Sequence, residues 1–213
     1  MVSAIGMSAE TYTPGYSDVA IRYMMRRYAA RDAAFVLPYL DSGVRLLDCG
    51  CGPGTITVGL AKAVGAGSVV GLDLDAAQIE LATGVAQQHG AGNVRFEVGS
   101  VYQLPFPDRS FDVVYSHALC EHLAGPLEAL REMRRVLRPG GVVGIAAPDW
   151  GGVVVGPPDE MVQAGIEAYT MLQQNNGGNP FIGRTLGELL DGAGFRGVTL
   201  SAVYDCYEDV SLI

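Results

Sequence analysis

The chain has 213 residues, a formal net charge of −9, 49% hydrophobic residues and 17% charged ones. That length and composition describe one domain able to build its own core, and they exclude a disordered chain. The negative balance argues against a nucleic-acid partner, which needs a positive surface, and no apolar run reaches the roughly 20 residues that span a bilayer.

Met1 to Glu10 carries no basic patch followed by an apolar stretch, so no signal peptide is expected and the sequence reads as a cytoplasmic protein. Asp18 to Leu40 reads as one front helix with Tyr23, Met24, Tyr28, Phe35 and Leu37. Arg22, Arg26, Arg27 and Arg31, and later Arg131, Arg134, Arg135 and Arg138, fall at helical spacing and read as solvated helix faces. From Val44 onward, short apolar runs alternate with amphipathic stretches. Val44–Cys49, Ser68–Asp73, Val94–Val98, Phe111–Ser116 and Val142–Ala147 are predicted strands. Thr55–Val64, Ala76–His89 and Pro126–Leu137 are the helices between them. This order means α/β: a Rossmann-like, mostly parallel sheet with helices on both faces.

After the fifth strand come a Gly/Pro-rich loop at Trp150–Pro158, helices over Asp159–Gln174 and Thr185–Ala193, and a strand over Val198–Tyr207. The chain thus divides into a helical front segment (1–43), a core (44–148), and a cap with the far sheet edge (149–213). Only one of two expected edge strands is visible, and Val210–Ile213 stops without the other. The expectation is a truncated chain, or an edge completed by a partner or a rearranged segment. The four cysteines form no C-x-x-C pair and no zinc set, so they read as reduced thiols and no metal is expected.

The most informative stretch is Asp48-Cys49-Gly50-Cys51-Gly52-Pro53-Gly54-Thr55, which joins the first strand to the first helix, where open α/β sheets bind ligands. Gly50 permits the sharp turn, Gly52 clears space beside the backbone, and Gly54 lets the helix start near the sheet. A dinucleotide fingerprint counted from Gly50 requires glycine where Thr55 stands. Asp73, about 20 residues on, is placed to bind ribose hydroxyls, and Asp75 to cap the next helix.

The pattern Asp-x-Gly-x-Gly-x-Gly resembles motif I of class I methyltransferases, whose cofactor, S-adenosylmethionine, carries an ammonium and no pyrophosphate. Leu104-Pro105-Phe106-Pro107-Asp108-Arg109-Ser110-Phe111-Asp112, with Arg138-Pro139-Gly140-Gly141, is similar to the family of ubiquinone and menaquinone C-methyltransferases and natural-product methyltransferases. The resemblance covers about Arg45 to Pro148. It implies a cofactor shell of Asp48, Gly50, Cys51, Gly52, Gly54, Thr55, Asp73, Leu74, Gln78, Gly99, Ser100, Val101 and Ser116. In it Asp48 orients the ammonium end, Leu74 and Val101 flank adenine, and Ser100 replaces the family's adenine-binding Asp. Tyr12-Thr13-Pro14-Gly15-Tyr16 looks like a "Y-x-x-G-Y" segment, in which Tyr16 closes the pocket.

A sulfonium already activates its methyl group, so the enzyme chiefly aligns a nucleophile behind it. His117, at the end of the fourth strand with Glu121 a turn later, is the candidate general base. Trp150, Met161, Tyr169, Met171, Phe181, Tyr23 and Met24 are candidates for an apolar wall around a small-molecule acceptor of polyketide, quinone, terpenoid or alkaloid type. The expected state is monomer or homodimer. Two competing readings are a non-catalytic cofactor-binding regulator and an NAD-dependent oxidoreductase.

Overall fold

The computed structural model describes residues 11–206; Met1–Glu10, Tyr207 and Val210–Ile213, on which some expectations fall, lie outside the described residues. Five strands form one sheet: β1 (Arg45–Cys49), β2 (Ser68–Asp73), β3 (Val94–Val98), β4 (Phe111–His117) and β5 (Leu137–Ala146). They lie in the order β3-β2-β1-β4-β5, and every pair is parallel. Leu46, Leu47 and Cys49 on β1 are fully buried, as a central strand covered on both faces requires.

The helices are α1 (Asp18–Met24), α2 (Ala29–Asp32), α3 (Thr55–Ala63), α4 (Ala76–Gln88), α5 (Pro126–Val136), α6 (Glu160–Asn175) and α7 (Leu186–Gly192). Two cores result. Leu46, Val69, Val113 and Tyr115 meet Ala33 from the α2 segment and Leu60 from α3 on one face. Leu47, Val70, Val114 and Phe111 meet Leu130 and Met133 of α5 and Leu190 of α7 on the other. Alternate residues of one strand thus serve opposite faces.

The front segment is not one helix. It breaks after Met24 and restarts at Ala29, with a 3-10 turn at Leu37–Tyr39. Tyr28 is extended (φ −152°), and its amide donates to the Asp32 carboxylate at 2.7 Å, a cap that replaces the continuing helical bond. Tyr115 Oη then donates to the Asp32 carbonyl at 2.9 Å and ties the restart to β4. The expected strand at 198–207 is also absent over its described part. Residues 198–206 have no ladder partner among the described residues, and without one an extended run gains no strand hydrogen bonds. Among the described residues, no helix is long and apolar enough to cross a membrane.

Candidate cofactor and acceptor site

The strand order reverses between β1 and β4, and ligands of open parallel sheets bind at the carboxyl ends of such strands. The glycine loop follows β1 there. The amides of Gly50 and Cys51 both donate to the Leu72 carbonyl, at 2.8 and 3.0 Å, which draws the loop across the end of β2. Gly50, Gly52 and Gly54 have φ of 74°, 50° and 78°, a region that favours glycine. A Cβ on Gly54 would stand 2.7 Å from that of Ala82, so this glycine also lets α3 lie close to α4.

Asp73 closes the loop from β2. One carboxylate oxygen accepts from the Gly52 amide at 2.9 Å, the other from the Asp75 amide at 3.0 Å. Each oxygen keeps a lone pair for a ribose hydroxyl. Burial pushes the Asp73 carboxyl up, and the backbone amides of Asp75 and Gly52 oppose that. Asp75 caps α4 through the Ala77 amide, as the sequence suggests. Gln78, on the first turn of α4, is buried, its Oε1 without a partner among the described residues and 3.9 Å from where a Gly52 Cβ would stand. Leu74 beside Asp73 is 72% exposed, an apolar side chain free to cover a ring.

Asp48 lies beneath the loop, buried, and accepts from Thr57 Oγ1 at 2.6 Å. Burial raises its carboxyl to about 7, although the Thr57 hydroxyl pulls it down. Thr55 starts α3 behind the left-handed cap at Gly54. The Cys51 side chain is buried.

The remaining candidates are placed differently. The Gly99 amide donates to the Asp73 carbonyl at 2.9 Å, and Ser100 Oγ accepts from the Tyr102 amide at 3.2 Å, which leaves its proton to donate. Val101 is packed into the α5-side core. Ser116 is buried and gives its proton to the Cys49 carbonyl at 2.9 Å, joining β4 to β1. Met161 and Met171 are 84% and 61% exposed, on the outward side of α6, whose inward face carries Ile166, Tyr169 and Gln173.

His117 turns toward α2, with Nε2 4.0 Å from the Asp32 carboxylate and Nδ1 without a partner among the described residues. Burial, assisted by the nearby Arg27 charge, lowers it to about 4, so its ring is neutral at neutral pH. Tyr16 stacks on Tyr12 with centroids 5.1 Å apart, and Tyr12 meets the edge of His122 at 4.7 Å. Burial first, and then the charges of Asp73 and Asp75, raise the Tyr16 phenol, and Met24 Sδ would lie 3.9 Å from a Cβ on Gly52. Tyr12 Oη donates to Met24 Sδ at 3.6 Å, and Trp150 packs against Tyr169 at 4.7 Å.

Thr57, Gln173 and Arg27 were not singled out as site residues by the sequence. Gln173 left one signal, a polar residue four positions after Tyr169 on the inward stripe of α6. Arg135, read as solvated, instead clamps the β3–β4 connection. Its guanidinium donates to the carbonyls of Leu104 and Phe106 and to Glu132 and Asp108, at 2.8 to 2.9 Å. Arg138 likewise bonds Asp112 at 2.6 Å.

A five-stranded parallel sheet with a glycine loop and a ribose-placed acid at its switch point defines a nucleoside-cofactor α/β domain. Residues 40–182 match the family model of a methyltransferase domain, and the chain belongs to the S-adenosylmethionine-dependent methyltransferases of class I. A probable methyltransferase of Aspergillus luteorubrus is 40% identical over 145 residues, 62% of this chain and 50% of that one. A ubiquinone/menaquinone biosynthesis C-methyltransferase of Bdellovibrio bacteriovorus is 39% identical over 102 residues, 48% of this chain and 43% of that one. The matched part of this chain thus spans half or less of these two curated relatives. The structure of a SAM-dependent methyltransferase from Aquifex aeolicus shares the fold, with TM-score 0.66 and 23% identity over 85% of this chain and 90% of that one.

Proposed function

We propose that the chain binds S-adenosylmethionine at the glycine loop and methylates a small, largely apolar acceptor held between the N-terminal segment and α6. The observation that carries this reading is Asp73, its carboxylate fixed by the Gly52 and Asp75 amides at the end of β2. Asp73 would hold the ribose hydroxyls. The buried Asp48, already supplied with one donor by Thr57, would take its second from the ammonium end. Unpartnered Gln78 Oε1 and exposed Leu74 offer one polar and one apolar contact beside them. The bound cofactor supplies an electrophilic methyl group on sulfur.

What remains for the protein is alignment and exclusion of water. Tyr12 and Tyr16 cover the loop, while Trp150 and Tyr169 supply flat apolar walls. A quinone-related or natural-product acceptor suits such walls, and the quinone methyltransferase among the relatives supports that class. We further place the protein in the cytoplasm as monomer or homodimer. Its three buried cysteines, Cys49, Cys51 and Cys120, are free thiols that burial holds protonated. Methyl-labelled S-adenosylmethionine incubated with a panel of hydroxylated aromatics and quinols tests the reading. Label in the organic extract, absent with Asp73→Ala, is the expected result; label in none of them overturns the acceptor class.

A further inference from the structure

One group of buried polar side chains lies apart from the glycine loop and Asp73. The 3-10 turn Cys120–His122 presents Glu121 and His122, and α6 brings Gln173 against them. Glu121 is 2% exposed and Gln173 0%. Gln173 Nε2 donates to the Glu121 carbonyl at 2.9 Å and lies 3.4 Å from His122 Nδ1. An amide N–H can only donate, so Nδ1 is the acceptor of that pair and the ring proton is assigned to Nε2. His122 Nε2 in turn faces Glu121 Oε1 at 3.6 Å. The row runs from Gln173 through His122 to Glu121 and ends at Glu121 Oε2, which is covered from solvent and has no hydrogen-bond partner among the described residues. With both ring nitrogens turned toward neighbours, His122 is a positioning residue, and of the two unpartnered oxygens of the row, Gln173 Oε1 and Glu121 Oε2, the carboxylate's is the basic one.

We propose that Glu121 is the general base of the site and takes the proton of an acidic hydroxyl, a phenol or an enol, on the methyl acceptor. This rests on the methyltransferase reading given above. In the step, the acceptor O–H bond breaks, its electron pair stays on the acceptor oxygen, and the proton forms a new O–H bond at Glu121 Oε2. The surroundings select the class. Tyr12 of the N-terminal segment meets His122 at 4.7 Å, Gln173 of α6 bonds the Glu121 carbonyl, Cys120 and His122 stand on its own turn, and Arg27, Tyr12 and Tyr169 couple electrostatically to Glu121. The Arg27 charge acts on Glu121, His122 and Tyr12 alike, which disfavours an ammonium acceptor and favours the oxyanion that proton loss creates. Burial pushes the Glu121 carboxyl up to about 8, a base strength suited to a phenol and far too weak for an aliphatic alcohol. A bound sulfonium cation would bring that value down toward neutrality.

Two para-substituted phenols of different acidity test the role: 4-methylphenol, with a pKa of about 10, and 4-nitrophenol, which the nitro group makes acidic enough to be largely ionised at about pH 8. With wild-type protein and S-adenosylmethionine, kcat for 4-methylphenol is expected to rise with pH to a plateau above about 8, while 4-nitrophenol stays level once ionised. Glu121→Gln is expected to cut methylation of 4-methylphenol roughly 100-fold and that of 4-nitrophenol only a few-fold, because the second needs no base. Equal losses on both probes, or a flat wild-type profile with 4-methylphenol, would overturn the proposal, and so would methylation of neither phenol by the wild type. The wild-type profile stands even if the variant fails to fold. Calorimetry of wild-type protein with S-adenosylhomocysteine separates the two readings: binding without dependence on acceptor acidity sinks only the role of Glu121, and no binding sinks the methyltransferase reading itself.

Discussion

Two buried carboxyl groups govern how the folded chain responds to pH. Burial raises Asp48 to about 7 and Glu121 to about 8, both well above their values in an unfolded chain. Stability from such a group is fully present below about pH 4 and is lost as pH climbs through the folded value. His117 and His122 run the other way. Burial lowers both to about 4, so their contribution is present above the unfolded value of about 6.5 and is lost as pH falls toward 4. The two pairs oppose each other between about pH 4 and 6.5, and above that only the carboxyls titrate. Urea denaturation of the free protein is therefore expected to show stability declining from about pH 6.5 to 8, with a shallower decline in Glu121→Gln. A level or rising stability across that window contradicts the burial of these acids. The sequence showed Asp48, Asp73 and the glycines because loop geometry restricts which residues can stand there. It could not show that Gln173 and Tyr12 approach His122 across 51 and 110 positions, since only tertiary packing brings them there.

At the level of elements, the segment most diagnostic in sequence proves to be scaffold. Leu104 to Asp108 is gripped by α5: the Leu104 amide donates to Glu132, and Arg135 reaches the Leu104 and Phe106 carbonyls and Asp108. Asp112, at the start of β4, joins Arg45 of β1 to Arg138 of β5, which holds three strands in register. Arg135→Met keeps the aliphatic stem and strands two carbonyls. It is expected to lower stability by roughly 2–3 kcal/mol with cofactor affinity nearly unchanged. A loss below about 0.5 kcal/mol in urea denaturation would show that the clamp is dispensable. Strand and helix order was legible from alternation of apolar runs. The break in the front helix was not, because the Asp32 cap and the Tyr115 hydroxyl that fix it lie outside local helical periodicity. The run at 198–206 has strand composition, yet composition supplies no ladder partner.

For the whole molecule, the strand order puts the glycine loop after β1 beside β4 and the turn that follows it, and the crevice proposed for cofactor and acceptor lies there. On one side of it Tyr12 stacks on Tyr16 and meets His122, and on the other Tyr169 of α6 packs on Trp150 while Gln173 bonds the Glu121 carbonyl. The central claim is that this crevice is built for a sulfonium nucleoside. The most direct measurement is isothermal titration of the chain with S-adenosylmethionine, S-adenosylhomocysteine and NAD, each repeated with Asp73→Ala. Saturable binding of the first two alone, weakened at least about tenfold by the substitution, is the expected result. Binding of NAD in their place, or of none of the three, would contradict the account.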